Sequence, residues 1–217
     1  MFQNIFHFLA NLFFPPRCIV CDNLLKTKDS ICNDCDKEIG WIKSDFFNPH
    51  LERQWFDRAH SLAIFDGKWQ KVLHNLKYNK RTDLVVELGR RLSHRIDYQY
   101  DMILPIPLHK KRLRTRGYNQ SALVAKRLSK ESGIGARFDL LEKKVETRPQ
   151  VGLSLNERLN NVKGSFVIKD PAFIKGRDIL LVDDVMTTGA TVNECSKILK
   201  KSGALRVDVI TIARTSK

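Results

Sequence analysis

Long hydrophobic runs are missing from this sequence. The most apolar stretch, residues 5–14, is broken by His7 and Asn11 and stopped by Pro15-Pro16, well short of the roughly 20 residues a membrane-spanning helix needs. The first cation is Arg17, behind that stretch rather than ahead of it, the reverse of a secretory signal peptide. These absences lead us to expect a cytoplasmic chain with no transmembrane segment. Acidic residues are also scarce: 24 Asp and Glu stand against 38 Lys and Arg, a net charge of +14. The excess points to an anionic partner, whether a polyphosphate, a nucleic acid or an acidic membrane surface, unless it serves solubility alone. Internal repeats and low-complexity tracts are absent as well. Hydrophobic residues make up 42%, with 12 Phe and 3 Trp, too many for a disordered chain. A length of 217 residues allows one medium domain with a small module, or two small domains.

Ile5, Phe6, Phe8, Leu9, Leu12 and Phe13 share a helical stripe, so a short amphipathic helix is expected, packed on its own domain or laid on a membrane or partner. An irregular stretch over residues 36–56 separates an N-terminal module, 1–53, from a larger domain, 54–217. In the larger part apolar runs alternate with helical spacings. Residues 59–65, 102–104, 138–145, 165–168, 179–182 and 206–212 read as extended; Trp69 to Leu76, Leu84 to Ile96, and residues 119–130 and 192–201 read as helices. Such alternation argues for an α/β fold, a mainly parallel sheet flanked by helices.

Four of the five cysteines form two pairs, Cys18/Cys21 and Cys32/Cys35, each Cys-x-x-Cys, ten residues apart. Each pair sets two thiolates about one tight turn apart, and two such turns can close a tetrahedron around Zn2+. With no position left open, that zinc would be structural. Two disulfides or a redox dithiol are the alternatives; the lack of a secretion signal and of a thioredoxin-like context weighs against them. Cys195 stands apart and reads as a small packing residue.

The run Ile179-Leu180-Leu181-Val182 ends in Asp183-Asp184, followed by Val185-Met186, a small-residue turn Thr187-Thr188-Gly189-Ala190, and a helix starting near Thr191. Ligands of open α/β sheets bind at the carboxyl ends of strands. Successive N–H groups of a Thr/Gly turn and the positive end of a helix converge on one anion, such as a 5′-phosphate. The two carboxylates would repel that phosphate but can accept from vicinal sugar hydroxyls, and can help hold Mg2+ in its outer shell. An apolar strand ending in Asp-Asp also resembles the metal strand of P-loop hydrolases, but the required G-x-x-x-x-G-K-[ST] loop is absent.

Five of the seven residues from Lys110 to Arg116 are cationic. Lys110, Arg112 and Arg116 are candidates for binding pyrophosphate or a nucleic-acid backbone, with Tyr118 a possible base-stacking surface; a solvated basic loop is the plainer reading. Residues 147–162 lie between two expected strands as a long polar loop. Arg148 and Arg158 in it are candidate catalytic residues, able to swing over a diphosphate and exclude water.

Residues 179–191 resemble the phosphoribosyl pyrophosphate (PRPP) signature of type I phosphoribosyltransferases. The resemblance implies PRPP and Mg2+ as ligands, with Asp183 and Asp184 on the ribose hydroxyls and Thr187, Thr188, Gly189, Ala190 and Thr191 around the 5′-phosphate. Over nearly the whole chain the sequence further resembles the ComF family of competence-associated phosphoribosyltransferase-like proteins. The resemblance rests on the cysteine pairs, Leu76-Lys77-Tyr78, the Pro105-Ile106-Pro107-Leu108 to Arg116-Gly117-Tyr118-Asn119-Gln120 segment, Arg148-Pro149-Gln150 with Arg158 to Val162, and the PRPP signature. It implies a type I phosphoribosyltransferase-like domain behind a zinc ribbon, handling incoming single-stranded DNA during natural transformation beside competence or DNA-processing proteins. A phosphoribosyltransferase of nucleotide metabolism with an unidentified acceptor and a PRPP-sensing regulator without turnover are the alternatives. One departure bears on them: Thr187 stands where purine-salvage relatives commonly carry an aspartate that serves as the acid/base group on the base. The cysteine-nucleophile domain of glutamine-dependent relatives is also missing.

Overall fold

The computed structural model describes residues 15–25, 30–42, 51, 53–78, 84–147 and 154–216. The amphipathic stretch at residues 5–14 and Arg148 lie outside them. In chain order the elements are α1 (Asn33–Glu38), β1 (Arg58–Ile64), α2 (Gly67–Tyr78), α3 (Leu84–Ser93), β2 (Met102–Pro105), α4 (Lys110–Arg116), α5 (Gln120–Ser132), β3 (Leu141–Lys143), α6 (Leu155–Val162), β4 (Phe166–Ile168), a 3-10 turn (Pro171–Phe173), β5 (Asp178–Met186), α7 (Ala190–Lys201) and β6 (Arg206–Arg214).

The continuous apolar run 179–182 becomes the centre of β5, with every residue buried, as a strand covered on both faces requires. Strands β1, β6, β5 and β2 pair in that order, all parallel. The two-residue period of the strands sorts the core. Leu180 and Val182 join Ile103, Ile210 and Ile212 under α2, α3 and α5. Ile179 and Leu181 join Leu104, Val207 and Val209 under α7 and the antiparallel pair β3–β4. Helices thus cover both faces of a parallel sheet, as the alternation of patterns requires.

Two segments differ from the sequence reading. The basic stretch is a helix, α4, capped by the His109 side chain and by Gly117 at φ 84°, and no residue in it is buried. It has no apolar stripe, so no periodicity announces it. The second half of the expected long polar loop is the helix α6. Its start is a capping box: Ser154 accepts from the Glu157 N–H while the Glu157 side chain accepts from the Ser154 N–H.

The cysteine module is built onto the free edge of β1. Trp41 bridges Ala63 antiparallel, the Ile42 N–H donates to Leu62 (2.8 Å), and the Ile64 N–H donates to Gly40 (2.9 Å). Trp41 meets Trp69 of α2 edge-on at 5.5 Å between centroids. Cys18, Ile19, Val20, Ile31, Cys35 and Ile39 share one buried cluster with α2 and α3.

Helices α3 and α5 approach closely at Gly89, where an added Cβ would lie 2.8 Å from Arg127 Cβ. We expect Gly89→Leu to lower stability by about 1–3 kcal/mol through overpacking. Gly67→Ala, whose Cβ meets nothing within 4 Å, should stay within about 0.5 kcal/mol of the parent. Urea denaturation of both variants checks the contrast.

Candidate functional site

Strand β5 does not end at Val182. It runs through Asp183 and Asp184 to Met186, held by β6 in register Asp183↔Thr211 and Val185↔Ala213. The turn is therefore only Thr187 to Gly189, and α7 starts at Ala190, one residue earlier than its sequence suggests. Gly189 sits at φ 76°, ψ 0°, a left-handed conformation that a Cβ would strain. No side chain caps α7 at Gly189. The Ala190 N–H donates to Thr188 Oγ1 at 3.4 Å, and Thr215 Oγ1 donates to the Thr187 carbonyl at 3.2 Å, tying the turn to the end of β6. Asp183, Met186, Thr187, Gly189, Ala190 and Thr191 line a small recess here. A helix N-terminus without a side-chain cap, behind a glycine turn, is a ready anion site.

The acid pair is held by two helix ends. Asp183 Oδ1 accepts from Ser121 Oγ in the first turn of α5 (3.0 Å) and from the Asp184 N–H (2.9 Å). Asp184 Oδ1 accepts from the Val185 N–H (2.7 Å), and its Oδ2 lies 2.6 Å from Lys77 Nζ in the last turn of α2. Both oxygens of Asp184 are thus engaged, while Asp183 Oδ2 has no hydrogen-bond partner among the described residues. Burial, with the neighbouring Asp184 carboxylate, pushes the Asp183 pKa up to about 7, against the hydrogen bonds from Asp184 and Ser121 and the Lys77 charge. Lys143, at the end of β3, belongs to the same environment. Burial and the Arg112 charge lower its pKa, Asp183 and Cys195 oppose them, and Nζ donates to Thr147 Oγ1 at 2.8 Å. Cys195 is fully buried in α7, the packing residue expected of it.

Of the cations singled out by sequence, Arg116 donates from Nη1 to Gln120 Oε1 (2.8 Å), and Gln120 adjoins Ser121. Arg112 Nη2 donates to the Thr147 carbonyl (3.2 Å), and Lys110 Nζ pairs with Glu142 (3.1 Å) while remaining 75% exposed. Both contacts lie at or just after β3, and the Arg112 charge reaches Lys143, which also feels Asp183. Arg158 is partly exposed on α6. The segment after that helix is pinned to α7 by the Gly164 N–H donating to Glu194 Oε1 (2.8 Å). Tyr118 donates its hydroxyl to the Leu76 carbonyl. Sequence reasoning assigned no role to Lys77, Ser121 or Lys143. The one signal available for any of them was the place of Lys77 in the Leu76-Lys77-Tyr78 segment.

The sulfurs of Cys18, Cys21, Cys32 and Cys35 all lie within 4.8 Å of one another, with Cys21 and Cys32 at 3.7 Å. A tetrahedron with Zn–S bonds of about 2.3 Å has edges of about 3.8 Å, so the four residues fit the ion. A disulfide would need about 2.05 Å. Burial raises the Cys18 pKa, but N–H donation from Cys21, Cys32 and Val20 outweighs it and sets the thiol at about 7, whereas burial and the neighbouring cysteines push the Cys35 thiol well up. Four thiolates serve one ion and leave no open coordination position.

The double zinc ribbon domain family matches residues 9–46, and the phosphoribosyl transferase domain family matches residues 115–217. The chain therefore has a type I phosphoribosyltransferase fold with an N-terminal zinc ribbon. Competence protein F of Haemophilus influenzae is 30% identical over 230 residues, covering 93% of this chain and 98% of its own length. Competence protein ComFC of Streptococcus pneumoniae is 31% identical over 201 residues, 89% of this chain and 80% of that protein. DNA utilization protein YhgH of Escherichia coli K12 is 27% identical over 206 residues, 91% and 90% of the two chains. This chain belongs to the ComF family. Among solved structures, a glutamine PRPP amidotransferase from B. subtilis matches at 19% identity and TM-score 0.44, covering 63% of this chain and 30% of that one, too loose to bear on chemistry. No helix among the described residues is long and apolar enough to cross a membrane.

The raised pKa of Asp183 leads us to expect a pH-dependent stability. An acid whose pKa is raised from 3.8 to about 7 on folding contributes stability that is full below its ordinary pKa and is lost as pH rises through about 7. Asp183→Asn, which cannot ionise, should therefore gain more in melting temperature over the parent at about pH 8 than at about pH 5. An equal difference at both values would contradict the raised pKa.

Proposed function

We propose that the tip of β5 binds PRPP, and that the chain uses this site in the cytoplasm while handling incoming single-stranded DNA during natural transformation, beside competence or DNA-processing proteins. The observation that carries the reading is one strand end whose Asp183 Oδ2 has no hydrogen-bond partner among the described residues, next to a helix N-terminus whose cap residue, Gly189, has no side chain to fill it. In this reading the backbone of Thr187, Thr188, Gly189, Ala190 and Thr191 takes the 5′-phosphate, Asp183 accepts from a ribose hydroxyl, and Asp184 serves the ribose through the Lys77 ammonium that it holds. Lys110, Arg112 and Arg116 serve the pyrophosphate or a DNA backbone, and Arg148 and Arg158 close over the diphosphate. The names of the relatives, competence protein and DNA utilization protein, support the link to DNA. The net charge of +14 supports an anionic polymer as partner. The zinc ribbon is structural, and the two modules divide at residues 53 and 54.

Transfer, if it occurs, is displacement at ribose C1, which the protein assists by position and charge. Mg2+, bound with the diphosphate, supplies neutralisation of the leaving group. Thr187 bears on the acceptor, because a threonine cannot serve as an acid/base group on a purine at neutral pH. That favours PRPP binding without purine transfer, either with another acceptor or as a sensor without turnover. Pyrophosphate release, measured with and without added acceptors, separates those two.

Calorimetric titration with PRPP and Mg2+ should give binding that Asp183→Ala weakens about tenfold or more, the loss of a charged hydrogen bond. The same variant should keep its affinity for single-stranded DNA, with a logarithmic salt slope near −0.7 per phosphate contacted. Unchanged PRPP affinity in the variant, or a flat salt response, contradicts the respective half of the reading.

A further inference from the structure

The Leu76-Lys77-Tyr78 segment has no part in the reading above, yet Lys77 makes the shortest polar contact to the acid pair, 2.6 Å from Nζ to Asp184 Oδ2. The side chains of Lys77 and Asp184 are only 25% and 17% exposed, so solvent screens this pair less than it screens a surface ion pair. The lysine is also held from behind. The carbonyls of the last turn of a helix have no partner within the helix, and the Tyr118 hydroxyl takes that of Leu76, the residue before Lys77. Upstream on the same helix, Asn75 Nδ2 donates to the Ile19 carbonyl of the cysteine module at 3.3 Å. The end of α2 is therefore fixed on two sides with its ammonium over the strand tip.

We propose that Lys77 is a built-in counter-cation of the sugar site: its ammonium fills the place beside Asp184 that a divalent ion would otherwise occupy, and binding of the pentose end needs no Mg2+. The inference rests on the reading of β5 as a sugar-phosphate site. Carboxylate oxygens that take a metal directly must be open, and both oxygens of Asp184 are spent, one on Lys77 and one on the Val185 N–H. An ammonium has three donors; one goes to Asp184, and among the described residues nothing takes the other two, which leaves them to a ligand. A vicinal diol matches what remains, one hydroxyl donating to Asp183 Oδ2 and the other accepting from Lys77. Mg2+ then serves only the diphosphate of an activated sugar. Lys77 acts as a positioning residue that also supplies charge.

The test uses ribose 5-phosphate, which has the pentose end and the 5′-phosphate but no diphosphate. It is titrated calorimetrically into the full-length parent, Lys77→Met and Lys77→Arg, in magnesium-free buffer and with Mg2+. No chelator is added, because it would strip the cysteine site. The parent affinity should change by less than about twofold between the two buffers. Lys77→Met should bind roughly tenfold or more weakly without Mg2+, the loss of a charged hydrogen bond, and recover when Mg2+ is added. Lys77→Arg, which keeps the charge, should share the parent's indifference to Mg2+; this comparison decides the matter if circular dichroism finds the Met variant unfolded. Parent binding that requires Mg2+ overturns the proposal, as does a folded Lys77→Met that binds like the parent in magnesium-free buffer. Absence of binding by all three proteins in both buffers overturns the sugar-phosphate reading itself, and the role of Lys77 with it.

Discussion

Two carboxylates on consecutive residues at the end of a buried strand repel each other, and the folded chain must compensate that repulsion. It does so with two helix ends from distant parts of the sequence: Ser121 at the start of α5 hydrogen-bonds Asp183, and Lys77 at the end of α2 pairs with Asp184. The compensation is unequal. Asp184 is fully engaged, while Asp183 keeps one oxygen free and a pKa near neutrality. On the proposed reading a ligand meets one open acceptor and one ammonium beside the start of α7. A parallel sheet with helices on both faces brings the carboxyl ends of its strands and these helix ends to one edge.

The cysteine module belongs to this arrangement. Its last residues extend the exposed edge of β1, which would otherwise present unpaired backbone groups, and Trp41 packs edge-on against Trp69 of α2. Arg91 of α3 lies over the Trp41 ring at 4.3 Å and pairs with Asp36 of α1 at 2.8 Å. The helix that carries Lys77 is thus packed against the metal-ligating turn at one place and the acid pair at another.

The parts legible in the sequence are those with a local cause. The unbroken apolar run of β5, the glycine turn after it and the two Cys-x-x-Cys pairs each carry their meaning within a few residues. The alternation of strand and helix periods was enough to call for a parallel sheet. Helix α4 was not legible because none of its residues is buried. Its caps, His109 and Gly117, were the only marks of it, and a cluster of like charges reads more naturally as a loop. Helix α6 had a usable signal in Ser154 and Glu157 that the polar composition around them obscured. Ser121 was illegible for another reason, since a pairing across the fold leaves no trace in one sequence, and Lys77 was marked only by its place in the Leu76-Lys77-Tyr78 segment. Nor does hydrophobicity distinguish where a strand stops when it continues through two aspartates, as β5 does under the register imposed by β6.

On the proposed reading the tip of β5 holds a pentose by its hydroxyls and its terminal phosphate by backbone amides. A crystal structure of the complex with PRPP and Mg2+ tests it most directly. The 5′-phosphate is expected on the N–H groups of residues 187–191, with one ribose hydroxyl on Asp183 and the other beside Lys77. A phosphate seated on the basic helix α4 instead, with Asp183 and Lys77 touching no part of the ligand, would contradict it.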